Sequence, residues 1–158
     1  MKFDELRQRT VIAIDPDVDK NGVATANTQD KAITIQTLNF YETIKYITEQ
    51  HDQHPNLLVV IEAGWLNKSN WHLLQHDSRQ VIAAKGKAQG RNEQVSKVLG
   101  EMMQGLQINY QYQKPLRKIW RGKDKKITQQ ELQQLTGQTL PRTNQEGRDA
   151  ALILWTYL

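Results

Sequence analysis

Two stretches of the chain are apolar without a break, and both stop at a carboxylate. Val11-Ile12-Ala13-Ile14 runs into Asp15, and Leu57-Leu58-Val59-Val60-Ile61 runs into Glu62. Short runs of β-branched and small apolar residues predict strands covered on both faces. Between them, Asn21-Gly22 is a hairpin turn signal, so Val23 to Ala26 is expected to fold back antiparallel on the first strand. Lys31 to Leu38 alternates and predicts a third strand, which completes a meander. Asn39 with Glu42 has the spacing of a capping box, and Phe40, Ile44 and Ile47 then recur on one helical face that should fade between His51 and Pro55. A helix between two strands calls for a crossover, so the strand ending at Glu62 is expected parallel to the one ending at Asp15. The two carboxylates then stand side by side at one edge of the sheet.

The second half continues the alternation of elements. Ser78 to Leu106 predicts a long helix, loosened at Gly86 and Gly90, with Val95, Val98, Leu99, Met102, Met103 and Leu106 on one side. Ile108 to Tyr112 alternates as a fifth strand stopped by Pro115. Thr128 with Glu131 forms a second capping box, opening a short helix through Leu135 that Gly137 closes. The last helix, Glu146 to Leu158, should lay Ala150, Ala151, Ile153, Leu154 and Trp155 on the sheet. The main order is β-β-β-α-β-α-β-α, an α/β arrangement. With no repeat, no low-complexity tract and no linker, residues 1–158 read as one domain.

Charge changes the picture more than composition does. The net +4 divides into −3 for residues 1–79 (8 Lys/Arg against 11 Asp/Glu) and +7 for residues 80–158 (13 against 6). A basic half favours a polyanionic partner, since each Lys or Arg placed on a phosphate releases counterions. The segment Lys114 to Lys126 concentrates this, with Lys114, Arg117, Lys118, Arg121, Lys123, Lys125 and Lys126 around Trp120 and a single acid, Asp124. Lys85, Lys87 and Arg91 add a basic start to the long helix. The chain contains no cysteine, which excludes disulfides and thiolate metal sites. No apolar run reaches membrane-spanning length and Met1 to Glu5 is not the start of a signal peptide, so the expectation is a cytoplasmic protein away from membranes.

An acid at the tip of a buried strand costs solvation energy, so it is paired with a cation, used in chemistry, or simply capping a turn. Two such strands make the last reading weaker. Glu146 and Asp149 add a second pair, three apart at the start of the final helix and so on one face. Thr143 has N-cap spacing with Glu146 as its capping-box partner, which gives Glu146 a purely structural alternative. Asp149 has no such alternative, because the apolar run Ala150 to Trp155 follows it directly.

Strand-tip Asp, strand-tip Glu and a final-helix acid pair in this order resemble the ribonuclease-H-like fold and, within it, the RuvC-type Holliday junction resolvases. Val11 to Ala26 is similar to that family's first hairpin, and Leu57 to Trp65 to its second acidic strand with an aromatic three positions after the Glu. Lys87-Ala88-Gln89-Gly90-Arg91, Lys123 to Gly137 and Glu146 to Leu154 resemble its helix element, its basic segment and its terminal acidic helix. The resemblance implies a mixed five-stranded sheet flanked by helices, and Asp15, Glu62, Glu146 and Asp149 as ligands of two Mg²⁺ or Mn²⁺ ions in phosphodiester hydrolysis. It places Lys118 and Lys126 near the scissile phosphate, and Trp65 where an aromatic enters the junction. It also implies branched DNA as partner, a role in recombination and repair, and a homodimer formed through the long helix, whose alternative is packing on the sheet. Asp17 stands where the family has glycine, as an extra ligand or a turn residue, and Glu146 stands for its usual Asp or His. These departures suggest a divergent branch of phage or mobile-element type.

Other residues carry weaker signals. Trp65 reads equally as a base-stacking platform or a ring packed under a loop. His72 and His76 lie four apart but lack a third ligand, so a polar helix is the better reading than zinc. The rival functions are a non-catalytic nucleic-acid-binding relative, a ribonuclease or transposase-like nuclease, and an actin-like ATPase, for which 158 residues leave no second domain.

Overall fold

The structure, a computed structural model, describes residues 8–67 and 77–158. Its five strands are β1 (Thr10–Asp15), β2 (Asn21–Asn27), β3 (Thr34–Leu38), β4 (Leu58–Glu62) and β5 (Tyr110–Gln113). They form one sheet in the order β3-β2-β1-β4-β5. β2 is antiparallel to β1 and β3, whereas β4 is parallel to both β1 and β5. The helices are α1 (Phe40–Gln53), α2 (Arg79–Gly105), α3 (Gln129–Thr136) and α4 (Gln145–Trp155). This mixed five-stranded sheet, with helices on both faces, is an α/β arrangement in the element order that the sequence predicts.

β1 is central because it is apolar on both sides. Val11 and Ala13 point to the face covered by α3 and α4, while Ile12 and Ile14 point to the face covered by α1 and α2. On the first face, Ala13, Ala24 and Ala26 meet Ala150 and Ala151, so α4 lies close to the sheet. Ile12, Ile14, Val59 and Ile61 pack with Ile47, Leu99 and Met103 on the other. Each such side chain, fully buried, contributes roughly 1.5–3 kcal/mol.

Several expectations are corrected. Asn21-Gly22 is not the hairpin turn. Residues 16–20 make the turn and Asn21 already pairs in β2. Asn21 is buried because its Oδ1 accepts from the Asp17 N–H (2.9 Å) and its Nδ2 donates to Thr43 Oγ1 (3.0 Å), which ties the turn to α1. β3 starts at Thr34, since Lys31 takes a positive φ of 57° that a continuing strand would not allow. α2 runs without a break through Gly86 and Gly90. On α1 the stripe shifts, with Thr43 and Ile47 buried and Phe40 exposed. The N-cap of α4 is Asn144, whose Oδ1 accepts from the Gly147 N–H (2.9 Å), in place of Thr143. Trp155 lies half-buried at the rim of the core. The capping boxes Asn39/Glu42 and Thr128/Glu131 are both present, and Gly137 closes α3 in the left-handed conformation. Among the described residues no helix is long and apolar enough to cross a membrane. His72 and His76 lie outside the described residues.

Candidate active site

Parallel pairing brings the first two acids together. β1 and β4 run in register from Val11↔Leu58 to Ile14↔Ile61, so the next positions are Asp15 and Glu62, at the same edge. The third element arrives over β2. Gly22 pairs with Asp15 across the hairpin, and a Cβ on Gly22 would fall inside the backbone carbonyl of Glu146. The absence of that side chain lets the first turn of α4 sit directly on the strand end. Because Asn144 provides the cap, Glu146 is not held as a capping-box partner, and its side chain lines the cleft with Asp149.

The cleft encloses about 340 Å³. Its floor is acidic, formed by Asp15, Glu62, Glu146 and Asp149 with Asp17 at the margin. One wall is the basic segment, which contributes Arg117, Lys118, Lys125 and Lys126 with Trp120 behind them. The opposite wall is a polar stripe of α2, Gln89, Asn92, Glu93 and Ser96. A trough of negative charge beside a cationic wall suits a phosphodiester held at its edge.

Burial and mutual repulsion set the electrostatics. Asp15 and Glu62 keep some contact with solvent, yet protein surrounds their carboxyl groups at the cleft floor. Burial is the main reason the Asp15 carboxyl lies well above the usual range, and the charges of Glu62, Asp149 and Glu146 push it further against the pull of Lys126. Glu62 is pushed up to about 7, first by burial and then by Asp149, with Lys126 and Lys118 opposing. Burial works against the Lys126 ammonium, but Asp149, Asp15 and Glu146 outweigh it and its pKa is raised.

Hydrogen bonds fix the positions. Lys126 Nζ lies 3.0 Å from Asp149 Oδ2, while Gln145 Nε2 donates to Asp149 Oδ1 at 2.7 Å. Arg148 braces Gln145 through Nη2 (2.8 Å) and reaches the Ile127 and Thr143 carbonyls. Ser96 Oγ donates to the Glu62 carbonyl oxygen (2.9 Å) and so pins the end of β4 to α2. Asp17 Oδ2 accepts from the Asp19 N–H (3.0 Å), so Asp17 serves the turn as well as bordering the cleft.

The carboxylates can take a divalent cation by the chemistry of their donors, since hard oxygens suit Mg²⁺ or Mn²⁺. Among the described residues no three acidic or imidazole side chains already stand at ligating distance. Like charges hold one another apart, and each Asp149 oxygen already accepts one hydrogen bond, from Lys126 or Gln145.

Other sequence-predicted residues sit elsewhere. Trp65 does not line the cleft. It occupies a 3-10 turn (Gly64–Leu66), packs edge-on against Tyr112 (4.8 Å between centroids) and lies under the Lys97 ammonium (5.3 Å). Lys85 pairs with Asp77 at 2.6 Å, and Lys87 and Arg91 are exposed on the same half of α2. Lys114, Arg121 and Lys123 are exposed around the basic segment without lining the cleft. Sequence reasoning missed Gln145, Glu93 and Ser96. The i, i+4 spacings Gln145/Asp149 and Gln89/Glu93 were the only signal, and both pairs are hydrogen-bonded.

The raised carboxylates have a measurable consequence. Between pH 5 and 8 the folded protein holds more protons at Glu62 and Asp15 than the unfolded chain does, so stability falls as pH rises. In EDTA, urea unfolding is expected to show a loss on the order of 2–3 kcal/mol across that range, and Glu62→Gln should flatten the slope. A wild-type profile that is flat or rising would contradict the assignment.

Fold and site together define an α/β protein with a mixed five-stranded sheet and an acidic cleft walled by basic residues. No family model and no curated protein matches the chain. Among solved structures it is similar to T. thermophilus RuvC in complex with Holliday junction substrate, with a TM-score of 0.47 and 10% sequence identity over 92% of this chain and 89% of that one.

Proposed function

We propose that the chain is a metal-dependent DNA endonuclease that resolves four-way or otherwise branched junctions. The observation that carries this reading is the convergence of Asp15, Glu62, Glu146 and Asp149, from two strands and a helix, beneath a wall of Arg117, Lys118, Lys125 and Lys126. Those four carboxylates would hold two Mg²⁺ or Mn²⁺ ions. When bound, such ions supply Lewis acidity toward a water and toward the departing oxygen. The chain's own residues do the remaining work. The basic wall binds the phosphate backbone and holds the strand over the acids. Lys118 and Lys126 face the developing charge on the phosphoryl oxygens. Water adds to phosphorus as the bond to the 3′ oxygen breaks, leaving a 5′ phosphate and a 3′ hydroxyl. Ser96 and Gln145 position Glu62 and Asp149.

The homodimer has support in Met102, near the end of α2, and Leu106, which follows that helix directly, an apolar step that is 36% and 40% exposed. One observation favours the rival reading of a non-catalytic binder, namely that no three carboxylates already stand at ligating distance among the described residues. Substrate comparison separates the readings. Labelled four-way junction, matched linear duplex and RNA–DNA hybrid are incubated with the protein in Mg²⁺ and in Mn²⁺. Paired nicks in the junction are expected, with the linear forms largely intact. Equal cutting of all three would discard junction preference, and tight binding of an uncut junction would favour the binder.

A further inference from the structure

Lys126 is delivered to the acidic floor by a stiff piece of backbone. Residues 120–126 fold into a tight loop in which Trp120 N–H donates to the Lys125 carbonyl and Gly122 N–H to the Lys126 carbonyl, both at 3.0 Å. Asp124 and Lys125 take positive φ values of 55° and 58°, and a Cβ on Gly122 would strike the Lys126 carbonyl. The next residue, Ile127, is fully buried, and its carbonyl accepts from Gln145 Nε2 and Arg148 Nε at 3.1 Å each. The backbone of Lys126 is therefore fixed against α4.

The side chain is not fixed in the same way. Its four-carbon stem is flexible, and with a third of its surface exposed it has a route to the open cleft. In the structure it turns inward, and its ammonium lies 3.0 Å from Asp149 Oδ2. Gln145 holds the other oxygen, so each Asp149 oxygen already accepts a hydrogen bond and the ammonium places a positive charge where a cation would approach. The same ammonium opposes the crowding of Asp15 and, together with Lys118, that of Glu62.

We propose that Lys126 is a resident counter-cation of the acidic site: its ammonium takes the place of a divalent cation at Asp149, must leave for that cation to bind, and is drawn away by a DNA phosphate. This rests on the metal-site reading above. Three features of the cleft make the exchange workable. The ammonium neutralises part of the carboxylate charge before metal arrives. Arg117, Lys118 and Lys125 line the same space and bring a phosphate within its reach. Once turned outward to that phosphate, Lys126 frees Asp149 Oδ2. Metal and DNA are then bound with positive cooperativity, each raising affinity for the other by the same factor.

The test measures metal binding directly. Free Mn²⁺ is followed by electron paramagnetic resonance while the full chain is titrated, for wild type, Lys126→Met and Lys126→Arg, with and without a junction carrying uncleavable phosphate linkages at the exchange point. Circular dichroism confirms folding. Lys126→Met is expected to bind Mn²⁺ about tenfold more tightly than wild type, because a cation no longer competes at short range. Lys126→Arg, which keeps the charge, is expected to stay weak. Junction DNA should tighten Mn²⁺ binding to wild type and have much less effect on Lys126→Met. Equal Mn²⁺ affinity in wild type and a folded Lys126→Met overturns the counter-cation while leaving the metal site standing. Absence of Mn²⁺ binding in every protein overturns both. The wild-type comparison with and without DNA needs no variant, so failure of Lys126→Met to fold leaves a decisive arm, in which unchanged affinity also overturns the proposal.

Discussion

Asp15→Asn is expected to abolish junction cleavage, by a factor of about 10³ or more, while changing junction affinity by no more than about twofold. The substitution keeps the shape of the side chain and removes its charge. Asp15 lies at the end of the central strand, between Glu62 on the neighbouring strand and the acids of α4. The charges of Glu62, Asp149 and Glu146 all act on it, so in the proposed metal site Asp15 is the carboxylate that links the strand acid to the helix acids. On the proposed reading DNA affinity comes from the cationic wall, which the substitution does not touch. Stability should move the opposite way from activity. A neutral amide relieves the burial and repulsion that push the Asp15 carboxyl up, so the metal-free variant is expected to unfold at a higher temperature than wild type in EDTA at pH 8. Cleavage near the wild-type rate would remove Asp15 from the site.

Gly22→Ala is expected to cost upwards of about 3 kcal/mol. The added carbon would meet backbone, the carbonyl of Glu146 and the amide of Gly147, and backbone at the start of a helix cannot rotate away as a side chain can. α4 is held to β2 and β1 by Ala150 and Ala151 against Ala13, Ala24 and Ala26, so the helix must either tilt or lift. Either movement carries Glu146 and Asp149 away from Asp15. The variant should therefore lose activity beyond what its remaining folded fraction accounts for. Urea unfolding gives the stability change, and Mn²⁺ titration below the transition separates displaced ligands from lost fold. A change under about 1 kcal/mol would mean that α4 is not seated on Gly22 as described.

Gly22 also shows where sequence reading stops. Asn21-Gly22 has the composition of a hairpin turn, and turn chemistry was the local reading. The reasons for both residues lie far along the chain, in Thr43 for the Asn side chain and in Glu146 for the Gly. The N-cap of α4 is a similar case. Thr143 and Asn144 can each cap a helix, and the choice is made by Arg148, which takes the Thr143 carbonyl, and by Asn144 Oδ1, which receives the Gly147 N–H. Trp65 was ambiguous because its partners, Tyr112 and Lys97, come from β5 and α2.

What was legible had local causes. Uninterrupted apolar runs at residues 11–14 and 57–61 read as strands covered on both faces, and the helix before the second run favours a parallel crossover. That alone put Asp15 beside Glu62. The spacing of Glu146 and Asp149 put both on one face of α4, and the core residues after them set that face toward the sheet. The supporting groups, Ser96 and Gln145, could not be ranked from sequence, because a polar side chain gains its role from the distant group it holds.

If the four carboxylates form a cation site for phosphodiester hydrolysis, cleavage requires a divalent metal. The most direct measurement incubates the wild-type protein with an end-labelled four-way junction in EDTA, Mg²⁺ or Mn²⁺ and maps the ends of any products. An intact junction is expected in EDTA, and with either metal paired nicks that carry 5′ phosphates. A junction that is bound but uncut in every metal, or one cut equally well in EDTA, would contradict this expectation.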